Sequence, residues 1–193
     1  MKEIGSEKTR IFLASAVPSE TYNLLHELQS TLHYEGWKWM RTHNLHLTLF
    51  FIGEIFKNDL SQLDKVIRLI LPSFFPIELI TQGLAWMPEK NPRMLWIKFF
   101  KNNHFSELHN ILCKACKEFQ IKPHADMAHP WPHITLARFK GKKPSLLPTI
   151  TLQNFPNNWE IRSFQIWESI RENGQTNYRI TPYQYNLNST KLS

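Results

Sequence analysis

Two short runs of this chain are near-copies: His46-Leu47-Thr48-Leu49 and His133-Ile134-Thr135-Leu136. They stand 133 − 46 = 87 residues apart, too far for a local helix pair. In a β-strand, residues i and i+2 share a face. His46 and Thr48 therefore point one way while Leu47 and Leu49 point into a core, and the second copy repeats the pattern. Each strand offers one imidazole beside one hydroxyl. Two such strands facing across a cleft would converge two His and two Thr on one small volume. That set suits cleavage of a phosphodiester without a metal. A neutral imidazole removes a proton from water and an imidazolium protonates the departing oxygen. With an ordinary pKa of about 6.5, imidazole can serve in both states near neutral pH. The Thr hydroxyls can donate to the non-bridging oxygens where charge accumulates.

The elements that must carry these residues are legible from pattern. Residues 10–17 read as a buried strand closed by Pro18. Ser19 reads as an N-cap for a helix to about residue 34. Residues 45–52 read as a strand ending at Gly53. Residues 59–71 read as a helix with Asp59 as cap and Pro72 as stop. Residues 77–86 and 93–100 form an expected hairpin, 103–120 a helix, 133–139 a strand, and 160–169 with 177–186 a closing hairpin around Glu172–Gly174. Twice, a helix precedes a strand that opens H-x-T, a faint internal duplication. Interleaved helices and sheets point to an α+β or α/β class. No Gly/Ser linker divides the chain, so one domain over residues 1–193 is expected.

Composition narrows the class further. Apolar residues make up 42% of the chain and aromatics 13%, enough for a substantial core and unlike a disordered segment. The formal net charge of +7 favours polyanionic partners. The two cysteines, Cys113 and Cys116, are too few for a secreted disulfide scaffold. The opening MKEIGSEKTR has no apolar core of a signal peptide. No apolar run approaches the roughly 20 residues of a membrane span, so a cytoplasmic protein without membrane attachment is expected.

The paired motifs and their flanks resemble the two-histidine phosphoesterase superfamily, and within it the RNA 2′,3′-cyclic phosphodiesterases once named 2′-5′ RNA ligases. The resemblance runs nearly end to end. It rests on Arg10 to Ala14, on Trp39 with Asn44 to Leu49 and Phe51 to Gly53, and on Pro92 to Trp96. It continues through Pro132 to Arg138, and through Glu168-Ser169 with Gly174 and Tyr178. It implies an α+β, bilobal, pseudo-symmetric fold in which two antiparallel sheets line a central cleft with helices outside. It implies hydrolysis of a 2′,3′-cyclic phosphate RNA end, or of a cyclic nucleotide, to a 2′-phosphomonoester. His46 is then the proton donor and His133 the acceptor, with no cofactor. A reversible 2′-5′ RNA ligase, and an RNA-binding module of this fold without catalysis, are the alternatives. A monomer is expected. The segment Ala128-His129-Pro130-Trp131 departs from the basic residues the family often carries there, and the Lys140–Lys143 loop is a candidate compensation.

Further residues carry weaker signals. The resemblance suggests a phosphate contact for Arg138, five residues after His133, beside Thr48 and Thr135. Strict alternation places it on the face opposite His133, so a bulge near the strand end is required. Arg10 and Arg93 could add charge to the cleft. Trp39, Trp86, Trp96 and Trp131 could stack on bases, one or two at most in the cleft. His43 with His46, and His129 with His133, have spacings conceivable for zinc. No Cys or carboxylate cluster joins them, and Pro130 and Pro132 exclude a helix there, so no metal is expected. Cys113-x-x-Cys116 sits late in a helix and reads as packed core.

Overall fold

The structure is a computed structural model that describes residues 7–32, 36–121, 131–139, 156–172 and 175–188. Among these residues, nine strands and three α-helices alternate in this order: β1 (Lys8–Ala16), α1 (Tyr22–Thr31), β2 (Trp37–Trp39), β3 (His46–Phe56), α2 (Leu60–Ile70), β4 (Ile77–Met87), β5 (Met94–Phe99), α3 (Asn103–Glu118), β6 (His133–Phe139), β7 (Asn158–Ile161), β8 (Ser163–Glu172) and β9 (Gln175–Asn186). The strand pairs they form are antiparallel.

The two expected sheets are present as two halves of one path, β7-β4-β5-β6 and β3-β1-β8-β9. They join through a single residue pair, Leu47 with Ile134. Beyond that pair β3 and β6 part, and β2 takes the freed edge of β6, pairing Trp37, Lys38 and Trp39 with Phe139, Arg138 and Ala137. The motif strands therefore abut edge to edge rather than facing one another across open space.

One face of the path is packed by the helices. Leu47 and Ile134, at 1% and 0% exposure, sit in a core shared with Leu25 and Leu28 of α1, Leu63 and Ile67 of α2, and Phe105, Leu108 and Leu112 of α3. Truncating such a side chain to Ala costs about 2–5 kcal/mol, so the seam is held from behind by burial rather than by its one strand pair. On the opposite face, Phe12, Ala14 and Trp167 form a small separate cluster, with Phe51 and Tyr178 against it.

Several local expectations are corrected. Ser19 does not cap α1. It begins a 3-10 turn, Ser19–Thr21, in which the Thr21 hydroxyl donates to the Pro18 carbonyl at 2.7 Å. Asp59 stands at the N-cap of α2 but makes no side-chain capping bond. The cap that does form is Asn102, whose Oδ1 accepts from Phe105 N at 2.9 Å at the start of α3. Gly53 does not end β3: with φ 95° it lies within the strand, beside a bulge in the pairing with β1. The three-residue β2 and four-residue β7 are too short to show a period in sequence. Cys113 and Cys116 are buried and not joined in a disulfide, and burial pushes Cys116 up to about 12, so it is chemically quiet.

Candidate active site

The Leu47–Ile134 pair acts as a local two-fold centre. An antiparallel register through it carries His46 toward Thr135 and His133 toward Thr48. All four polar side chains project from the face opposite the buried Leu47 and Ile134. They are only partly buried, whereas Leu47, Leu49, Ile134 and Leu136 are fully buried.

The same bulge then occurs in both strands. In β6 the pairing with β5 slips between Ala137 and Thr135, and Leu136 and Ala137 are both buried. In β3 the pairing with β1 slips between Phe50 and Thr48, and Leu49 and Phe50 are both buried. Each bulge inverts the alternation. The fifth residue after each His thus returns to the open face: Arg138 in one strand, Phe51 in the other. The bulge that Arg138 required is present.

Each imidazole is anchored identically. His46 Nδ1 lies 2.7 Å from the carbonyl of Asn44, and His133 Nδ1 lies 2.8 Å from the carbonyl of Trp131. A carbonyl only accepts, so Nδ1 carries the hydrogen in both rings and Nε2 is left bare for chemistry. The anchoring residues are themselves tied down. The buried Asn44 accepts from Tyr178 N through Oδ1 at 3.4 Å, and Trp131 Nε1 donates to the Phe99 carbonyl at 2.7 Å.

The surroundings of the two rings differ. His46 is packed against Phe12 and Trp167 and meets the edge of Tyr178, with ring centroids 5.0 Å apart and planes at 87°. His133 is stacked flat on Trp96. Burial holds both imidazoles well below their ordinary range, at about 4. The Arg138 guanidinium disfavours a proton on either ring, and the nearby His133 adds to this at His46. The anchoring carbonyls partly offset these effects. Both rings are therefore neutral in the free protein at neutral pH.

A cavity of about 420 Å³, bordered by Arg10, Lys38, Arg41, Arg138, Phe51 and Tyr178 among others, adjoins His46 through Asn44 and Tyr178, while neither histidine and neither motif Thr is among its lining residues. Of the expected residues, Arg10, Trp39 and Arg138 line it, while Arg93 is exposed and Trp86 packs against Trp37 and Phe139. Ser169 and Tyr178 of the closing hairpin also line it. Glu168 is instead buried, accepting from Thr9 Oγ1 at 3.1 Å and Arg179 Nε at 2.9 Å. Asn44, Lys38, Arg41 and Phe51 were not picked out as site residues from sequence; Phe51 was legible in its offset from His46, which equals that of Arg138 from His133. His43 is exposed, and among the described residues no three His, Cys, Asp or Glu side chains converge as a metal site. His129, Gly174 and the Lys140–Lys143 loop lie outside the described residues.

A family model of the 2′-5′ RNA ligase superfamily matches residues 17–173. The chain belongs to the 2′-5′ RNA ligase superfamily. Among its relatives in this superfamily, the RNA 2′,3′-cyclic phosphodiesterase of Archaeoglobus fulgidus is 25% identical over 168 residues, covering 83% of this chain and 91% of that protein. The protein of the same name from Thermus thermophilus is 27% identical over 166 residues, covering 83% and 81%. In structure, the chain resembles TT0787 of Thermus thermophilus, with a TM-score of 0.80 and 26% identity over 94% of this chain and 100% of that one. Escherichia coli LigT shares the superfamily fold at a TM-score of 0.72 and 22% identity, covering 94% and 99%.

Proposed function

We propose that this protein hydrolyses 2′,3′-cyclic phosphate ends of RNA to 2′-phosphomonoesters, without metal, using His46 as acid and His133 as base. The observation that carries the reading is the pair of matched Nδ1–carbonyl anchors, which leave two bare Nε2 atoms on one face of adjoining strands. Water attacks phosphorus and gives its proton to His133 Nε2. The P–O3′ bond breaks, and His46, protonated once the anionic substrate is bound, delivers its Nε2 proton to the departing O3′. The sum is addition of one water, leaving a 2′-phosphate and a free 3′-hydroxyl. Thr48, Thr135 and Arg138 hold the non-bridging oxygens. The substrate class is supported by the relatives, named RNA 2′,3′-cyclic phosphodiesterase in organisms as distant as Archaeoglobus fulgidus and Thermus thermophilus.

The same atoms run backwards would join a 2′-phosphate end to a 5′ end, the ligase alternative, and the products tell the two apart. A binder without catalysis has no use for two anchored imidazoles. Among the described residues no helix is long and apolar enough to cross a membrane, and a monomeric, cytoplasmic enzyme remains part of the proposal. The test is to incubate the protein, in excess EDTA, with a short RNA ending in a 2′,3′-cyclic phosphate and to locate the product phosphate. A 2′-phosphate that is lost with His133→Ala is expected. RNA recovered unchanged would sink the reading.

A further inference from the structure

The cavity beside the histidines holds more positive charge than one cyclic phosphate needs. A cyclic phosphate is a diester with a single negative charge, and Arg138, which acts electrostatically on both imidazoles, suffices to meet it. Arg10, Lys38 and Arg41 line the same cavity, whose lining includes no Asp or Glu among the described residues. None of the four cations forms an ion pair with a described carboxylate, Glu54 included, although Glu54 stands opposite Arg10 in the β1–β3 register. Like charges gathered without counter-charge repel one another and favour an anionic occupant.

The arrangement has a direction. Arg138 lies five residues beyond His133, roughly 15 Å along the strand, and acts electrostatically on both imidazoles. Lys38 is directly across the β2–β6 ladder from Arg138, and Arg41 follows on the chain leading to His46. Arg10 closes the other wall, opposite Ser169 in the β1–β8 register. The positive charge thus extends from Arg138 across β2 and β1 around one cavity. Phe51 and Tyr178 add aromatic rings to the same lining, and cations with aromatics are the combination that binds a single strand by its backbone and its bases.

Resting on the proposed activity, we infer that Arg10, Lys38 and Arg41 form a subsite for the phosphodiester on the 5′ side of the terminal nucleoside. The enzyme is then selective for oligonucleotide ends over cyclic mononucleotides.

Turnover of adenosine 2′,3′-cyclic phosphate is to be compared with that of the dinucleotide and trinucleotide ending in the same group, over a range of salt. We expect kcat/KM on the dinucleotide to exceed that on the mononucleotide by ten-fold or more. Its logarithm should fall more steeply with log salt, by about 0.7 for each added phosphate engaged. Arg41→Gln and Lys38→Gln should each lower kcat/KM on the dinucleotide about ten-fold more than on the mononucleotide. Equal kcat/KM and equal salt slopes for all three substrates would overturn the subsite and leave the proposed activity standing. No turnover of any of the three would overturn the activity itself. A dinucleotide preference that survives both substitutions would assign the selectivity to other groups.

Discussion

The indole of Trp96 lies flat on the imidazole of His133, with ring centroids 3.5 Å apart and planes 15° from parallel. Among the described residues His46 has no such partner; its ring meets Tyr178 edge-on. An indole face attracts a cation by about 0.5–2 kcal/mol, so the stack favours the imidazolium that His133 becomes on accepting the proton of water. The stack supports the proposed role of His133 as the base. Trp96→Leu is expected to lower the pKa of His133, followed by NMR, and to reduce kcat several-fold. Trp96→Phe keeps a ring with a weaker field and should fall between. A loss of melting temperature with the His133 titration unmoved would make Trp96 packing alone.

Burial holds the His46 and His133 imidazoles at about 4 in the folded protein, against about 6.5 when unfolded. Between those values the unfolded chain binds protons that the folded chain refuses. Stability should therefore fall as pH drops from about 6.5 to about 4, with no further loss from these two groups below that. Urea midpoints at pH 7 and pH 4.5 measure the fall, and His46→Asn with His133→Asn should shrink it. An anionic substrate should raise both values, so both limbs of kcat, the acid limb set by His133 and the alkaline limb set by His46, should lie at higher pH than those of kcat/KM. Superimposed limbs would count against electrostatic recharging of His46 by the substrate.

His46→Ala and His133→Ala should each reduce turnover by about 10²–10⁴ with folding intact. Thr48→Val and Thr135→Val each remove one hydrogen bond to developing charge, about 1.5–3 kcal/mol, a smaller loss. The register that sets each Thr toward the other strand's His predicts similar costs for the two. Single-turnover rates on the cyclic phosphate RNA check this ranking, and a harmless Thr change would remove that hydroxyl from the mechanism.

Asn44 joins His46 to the closing hairpin, its carbonyl taking His46 Nδ1–H and its side chain taking Tyr178 N–H. Asn44→Ala removes the acceptor of the part-buried Tyr178 N–H and should cost about 0.5–1.5 kcal/mol of stability, with kcat falling as the anchor loosens. Asn44→Asp keeps the acceptor and sets a negative charge beside the imidazole, which should raise the pKa of His46 in an NMR titration. An unmoved His46 resonance in both variants would limit Asn44 to stabilising the hairpin.

Much of the chemistry was legible in the chain. The repeated H-x-T pattern put imidazole and hydroxyl on one face of each strand, because side chains in a strand alternate whatever surrounds them. Helices and strands were found where apolar periodicity was long, as in α3 and β6. Tertiary structure alone decided the rest. Which edges of β3 and β6 meet depends on burial of Leu47 and Ile134 against distant helices, and no local pattern encodes that contact. The bulges that return Arg138 and Phe51 to the open face arise from slipped pairing with neighbouring strands. The flat stack of Trp96 on His133, and the gathering of Lys38, Arg41 and Arg10 around one cavity, likewise join residues far apart in the chain. Such groupings are products of sheet register, which side-chain alternation within a single strand does not specify.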